Sequence, residues 1–172
     1  MRGFGEAFGS TQIGSAVLSE CGRYRYRLER EADPLGSGAV NFVMLNPSTA
    51  DATADDPTIR RCVGFAKSRG YARLVVTNLF AFRATNPADM RGRTLAELVG
   101  PDNDEYLISV ARAADAVVCA WGANGNLYRR KETVKRMLSE IPVNLTALKM
   151  TKHGDPQHPL YIAGKTMPVA FG

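Results

Sequence analysis

The sequence contains no apolar run approaching the roughly 20 residues that span a bilayer, so no membrane function is expected of it. Its opening stretch, MRGFGEAFGSTQIG, lacks the apolar centre of a secretory signal, and residues 1–15 read as a flexible lead-in. Cysteine is scarce. Cys21, Cys62 and Cys119 lie far apart and form no CxxC pair, which argues against a disulfide framework or a thiolate metal site. Buried free thiols in a reducing cytoplasm are the expectation. Histidine is scarcer still, with only His153 and His158. Neither stands at close ligand spacing to the other or to Asp51, Asp55 and Asp56, so no metal and no cofactor are expected. Nucleophile and nucleotide signatures are missing as well: there is no GxSxG elbow, phosphate loop or dinucleotide fingerprint.

What is present suits one α/β domain over residues 16–172, long enough to bury a core without covalent help. A formal charge of +5 suits a polyanionic partner such as nucleic acid without requiring one. From Ala16 to Glu31 the chain turns at Cys21-Gly22 and then alternates, with Tyr24, Tyr26 and Leu28 on one side and Arg23, Arg25 and Arg27 on the other. That pattern predicts a hairpin with a basic outer face. Apolar strands are then expected at Val40–Leu45, Arg73–Phe80, Asp115–Trp121 and Pro142–Met150. Between them stand three helical stretches, PTIRRCVGFAKSR, GPDNDEYLISVARAA and NLYRRKETVKRMLSE. Asp56 followed by Pro57 caps the first of these and Gly70 ends it. Continuously apolar strands separated by helices predict a three-layer α/β/α sandwich: a mostly parallel central sheet of about four strands, plus the N-terminal β-hairpin. In such sheets the binding crevice lies beyond the carboxyl ends of the strands.

The unusual polar residues gather at those ends: Asn46-Pro47-Ser48-Thr49 after the first strand, Thr77-Asn78 on the second, Trp121 to Gly125 after the third and TKHGDPQHPLY after the fourth. Each has a plainer reading. Asn46-Pro47 also suits a stiff turn, and His158 before Pro159 also suits a surface position. Gly122 and Gly125 open a helix whose backbone amides suit a phosphate, and Asp56 is accounted for as a cap. Asn78 stands apart, because an amide inside an apolar strand must find hydrogen-bond partners, either in a neighbouring loop or on a ligand. Amides and imidazole without nucleophiles suit recognition of a flat, polar heterocycle.

The stretches LNPSTADATADDPTIRRC, NLFAFRATNP, AWGANG and TKHGDPQHPLY closely resemble a family of bacterial and phage proteins defined as a domain of unknown function, over about Tyr24 to Tyr161. More distantly, the motif order is similar to that of the uracil-DNA glycosylase superfamily, α/β/α sandwiches that hydrolyse the N-glycosidic bonds of flipped-out bases. The resemblance implies that Asn46, in MLNPST, orients the attacking water. It implies that Asn78, in VVTNLF, reads the base edge, and that His158 of His158-Pro159 stabilises charge on the departing base. Leu160 stands near where an intercalating residue belongs. The sequence departs from the superfamily in having HPLY instead of HPSP, no glycine before Asn46, and too few cysteines for the iron–sulfur branch. It also has the small Ser48, Thr49 and Ala50 where the uracil-specific branch has an aromatic wall against the base's C5 position. A pocket open toward C5 is inferred.

These readings combine into one expectation. The chain is a monomeric, monofunctional DNA glycosylase for a pyrimidine bulky at C5, such as the hydroxymethylated or glucosylated cytosine of phage DNA, with an antiviral role. Asn46 and His158 are the expected catalytic residues. Asn78, Pro47, Ser48, Phe80 and Phe82 bind the base, the two phenylalanines by stacking. Arg83, Lys152, His153, Pro159 and Leu160 contact DNA, with Asp51 or Asp55 as further candidates for holding water. A non-catalytic module for a modified base, or an enzyme of free nucleosides or nucleotides, are the alternatives.

Overall fold

The N-terminal hairpin forms, and it is continuous with the rest of the sheet. In the computed structural model, which describes residues 14–172, β1 (Gly14–Leu18) pairs antiparallel with β2 (Arg25–Glu31). There follow β3 (Ala39–Met44), α1 (Pro57–Ser68), β4 (Arg73–Asn78), α2 (Leu95–Val99), α3 (Asn103–Ala113), β5 (Ala116–Cys119), α4 (Arg130–Ser139), β6 (Leu145–Ala147) and β7 (Val169–Ala170). The strands are ordered β1-β2-β4-β3-β5-β6-β7 in one mixed sheet. Pairing is parallel for β4-β3, β3-β5 and β5-β6, and antiparallel for the three outer pairs. The fold is therefore mixed α/β, with a seven-stranded sheet in place of the expected four strands and separate hairpin. The hairpin docks on β4 at one edge, and β7 adds a strand at the other. Of the lead-in assigned to residues 1–15, the first thirteen lie outside the described residues. Gly14 and Ser15 belong to β1, opposite Arg30 and Glu29.

The period of two along the central strands divides the core. Val40, Phe42 and Met44 of β3 and Leu74 and Val76 of β4 pack with Ile59, Cys62, Phe65 and Ala66 of α1. Val43 and, from β5, Val117 and Cys119 pack instead with Leu98 of α2, Leu107 and Ala111 of α3, and Val134 and Leu138 of α4. Helix α1 starts where the sequence places it: the Asp56 carboxylate accepts the Ile59 N–H at 2.9 Å, and Pro57 occupies the first turn. The connection leaving β3 thus runs over one core cluster and the one reaching β5 over the other. Chains diverge at the carboxyl ends of β3 and β5, which opens a crevice there. At the amino ends of β3 and β4, the chain returns through tight joints. Gly70 adopts φ +73°, and a Cβ on Gly36 would collide with the Gly70 carbonyl.

Several expectations need correcting. The strict alternation that put Arg25 outside with Arg23 and Arg27 fails because the β1–β2 register shifts: Val17 faces Arg27, but Leu18 faces Arg25. A one-residue slip reverses which face a side chain takes, and Arg25 is left only 2% exposed. The fourth expected strand, residues 142–150, is confined to β6. The helix expected from Asn126 begins at Arg130, after 3-10 turns over Ala123–Arg129 that carry Tyr128 and Arg129 at φ +54°. Helix α2, opened by a capping box between Thr94 and Glu97, is additional to the three expected helices, although Thr-x-x-Glu is its signature.

Cys62 and Cys119 are buried and burial pushes their thiols up, whereas Cys21 is exposed, contrary to expectation. The Ser19 hydroxyl and then the Arg23 backbone N–H lower the Cys21 thiol to about 7. No helix among the described residues is long and apolar enough to cross a membrane.

Candidate functional site

A cleft of about 740 Å³ opens at the carboxyl ends of β3, β4 and β5. It is large enough for a nucleotide. Asn46, Asn78 and His158, three residues from distant parts of the chain, all line it. Its apolar lining includes Met44, Val76 and Ile59 from the α1 side of the core, and the first turn of α1 supplies Asp56, Pro57 and Thr58.

Asn78 follows Leu74 and Val76 along β4 and pairs with Met44 across the sheet. Its side chain is 1% exposed, and neither the Nδ2 nor the Oδ1 atom has a hydrogen-bond partner. A buried amide in that state costs about 1–3 kcal/mol per unpaired group, which a ligand edge carrying one donor and one acceptor would recover. The Asn78 backbone is held firmly, since its carbonyl accepts from Asn103 Nδ2 at 3.0 Å.

Asn46 is fixed by a different logic. Its Nδ2 donates to the carbonyls of Pro47 at 3.0 Å and Ala84 at 2.8 Å. Both partners are obligate acceptors, so the amide has one permissible orientation. Oδ1 is left as the free end, an acceptor that can hold a water but cannot deprotonate it.

His158 arrives on the loop after β6. The Gly122 N–H donates to the Pro156 carbonyl at 2.8 Å, which joins this loop to the one after β5. The His158 Nδ1 accepts the Leu160 N–H at 3.3 Å at the start of a short 3-10 turn, Pro159–Tyr161. In the neutral ring the proton therefore sits on Nε2, which is a donor. Burial lowers the imidazole below its ordinary range, and the Asp56 carboxylate opposes that shift.

The remaining expected residues divide. Ser48 and Leu160 line the cleft, as does Thr49. Pro47 does not, and its carbonyl is taken by the Ala84 N–H at 2.9 Å. Phe80 and Phe82 do not line it either. Past Asn78 the chain crosses to the other core cluster, with Phe80 N bonded to the Leu45 carbonyl and Phe82 N to the Leu98 carbonyl. Both rings are buried among Leu98, Leu107 and Met90, so stacking on a ligand in the cleft is not open to them. Arg83 donates to the Gly22 carbonyl at 3.3 Å, outside the cleft lining. Lys152 and His153 are exposed beyond the lining, and Pro159 is buried beneath the turn. Asp51 and Asp55 do not line the cleft: Asp51 accepts Thr53 N, Thr53 Oγ1 and Ala54 N, and Asp55 is in an ion pair with Arg30 at 2.7 Å. Among the described residues, no three His, Cys, Asp or Glu side chains are grouped to hold a metal.

Sequence reasoning missed Arg25, Trp121, Gln157 and Tyr161 as lining residues. The single tryptophan at a strand end was a usable signal, and its buried Nε1 has no partner. Tyr161 is exposed at the rim, with its ring 5.9 Å from that of His158. Nothing in the local pattern marks Arg25, because only the register shift turns it inward.

The chain belongs to the family described as proteins of unknown function DUF1643, which matches residues 25–160 and so includes every residue lining the cleft except Tyr161. No curated protein and no solved structure matches the chain.

Proposed function

We propose that this member of the family is a monofunctional DNA glycosylase that removes a pyrimidine bulky at C5 and leaves an abasic site. The observation that carries the reading is Asn78: a buried amide with no partner, in the same cleft as an oriented amide oxygen on Asn46 and an Nε2–H donor on His158. Helix α1 over one core cluster and helices α2, α3 and α4 over the other are read as the outer layers of the α/β/α sandwich of the glycosylase superfamily. The small side chains Ser48 and Thr49 on the cleft wall leave room for a C5 substituent.

In this mechanism the target nucleotide leaves the stack, at a cost of a few kcal/mol, and enters the cleft. Asn78 pairs with its Watson–Crick edge. Asn46 Oδ1 holds a water against C1′. The C1′–N1 bond breaks with its electron pair passing to the base, and His158 Nε2–H stabilises the charge that develops there. The water oxygen bonds to C1′, and its surplus proton leaves through solvent and neutralises the base anion. Leu160, exposed at the rim, fills the space left in the DNA stack, and exposed Lys152 and His153 meet phosphates.

The test is a panel of oligonucleotides and phage DNAs carrying different modified pyrimidines, incubated with the protein and heated in alkali. Strand breaks in one class of substrate are expected. If none of the panel breaks, the glycosylase reading fails.

A further inference from the structure

Arg25 is a buried cation without a carboxylate. Arg25 lines the cleft, is 2% exposed, and donates through Nη1 to the Ala50 carbonyl. Among the described residues neither Nε nor Nη2 has a partner. Arg30, five residues along the same strand and equally buried, provides the contrast. It holds the Asp51 and Ala54 carbonyls of the same loop, and Asp55 neutralises it at 2.7 Å.

Two acidic groups face Arg25, and both are engaged elsewhere. Asp56 caps the Ile59 N–H, and Asp51 takes two backbone N–H groups and a hydroxyl. Neither forms an ion pair with Arg25 among the described residues. Arg30 and Arg83 add positive potential, and burial pushes the Arg25 guanidinium down to about 10. The twelve-residue helix α1 also directs its amino end, Pro57 to Ile59, at the same cleft.

We propose that Arg25 is the anion-holding residue of the cleft, its Nε–Nη2 edge receiving a phosphate oxygen of the bound nucleotide. The proposal rests on the reading of the cleft as a nucleotide site and adds where the phosphate lies, beside the Ser48–Ala50 loop that carries the open wall. An unpaired guanidinium edge matches two phosphate oxygens side-on. The phosphate belongs either to a DNA strand or to a free nucleotide, which the test separates.

The experiment follows the arginine Nε–H resonances of the whole protein during titration with deoxycytidine, deoxycytidine monophosphate and a short single-stranded oligonucleotide. A saturable shift of the Arg25 Nε–H with a phosphate-bearing ligand, and none with the nucleoside, is expected. A stronger response to the oligonucleotide assigns the phosphate to a strand, and a stronger response to the monophosphate assigns it to a free nucleotide. Arg25→Met should weaken that binding roughly ten- to hundredfold, with Arg25→Lys recovering part of it. The proposal is overturned if the nucleoside shifts Arg25 as strongly as the monophosphate does, or if no phosphate-bearing ligand shifts it. Phosphate binding through Arg25 without any excision would overturn the glycosylase reading alone. Excision together with an Arg25 resonance that stays put would overturn only the role of Arg25.

Discussion

Asn46 donates its Nδ2 to the Ala84 carbonyl at 2.8 Å, and this bond ties the loop after β3 to the segment after β4 at the edge of the cleft. Replacement by aspartate would turn a second oxygen toward two carbonyls. The charged form is then disfavoured in the fold, and the carboxyl is raised above its unfolded value. The protonated form keeps one donor, so the damage grows as pH rises through the carboxylate range. Asn46→Asp should lose about 1–3 kcal/mol at neutral pH and less in acid. Urea midpoints near pH 8 and near pH 4.5 check this, and an equal loss at both would contradict the assigned amide orientation. Asn46→Ala should lower excision by about 10²–10³.

Asn78 predicts a gain in stability from a disabling change. Its amide is buried and unpaired, and leucine keeps its branched shape without polar atoms, the larger side chain extending into the cleft that Asn78 lines. Asn78→Leu should raise ligand-free stability by about 1–3 kcal/mol while excision disappears. Chemical denaturation of both proteins, with excision measured alongside, tests the pair. A destabilised Asn78→Leu would mean that the native amide has a partner.

His158 makes stability depend on pH. Burial depresses its folded value below the ordinary 6.5, so the unfolded chain takes up the proton first. Stability from this group is complete above about pH 7.5 and is lost as pH falls through about 6.5 toward the folded value. His158→Asn keeps an acceptor for the Leu160 N–H but does not titrate. Urea midpoints at about pH 7.5 and 5.5 should fall more for the wild type than for the variant. Identical pH dependence in the two proteins would remove this role.

Arg30 and Asp55 form an ion pair in which the side chains are only 2% and 9% exposed. Asp55→Ala strands a buried charge and should cost about 3–5 kcal/mol. A loss below about 1 kcal/mol, the range of surface pairs, would place the pair in effective contact with water. Because Arg30 also holds the Asp51 and Ala54 carbonyls, the variant should show faster amide exchange over residues 51–54.

The parts of this structure legible in the sequence are those set by local chemistry. Asp56-Pro57 marks the start of α1, the apolar run at Val40 marks β3, and Asn46, Asn78 and His158 declare themselves as polar residues at strand ends. What escaped depends on registers and crossings. Arg25 sits in an alternating strand whose single slip against β1 reverses its face. Phe80 and Phe82 follow a strand that ends at Asn78, where the chain passes to the other core cluster, and no local pattern says which face receives them. Helix α4 starts late because Tyr128 and Arg129 take left-handed backbone angles that ordinary residues seldom signal.

The tight joint between Gly36 and Gly70 precedes β3 and β4 and lies at the amino ends of these strands, the opposite end from the cleft. Closing the amino ends of the strands and shaping the cleft wall at Ser48 and Thr49 therefore fall on separate sets of positions. Under the proposed function, wall residues such as Ser48 and Thr49 can be exchanged to admit larger or smaller guests while the tight returns at the far end keep the strands aligned. Divergence in what such a protein accepts need carry no penalty in how reliably it assembles.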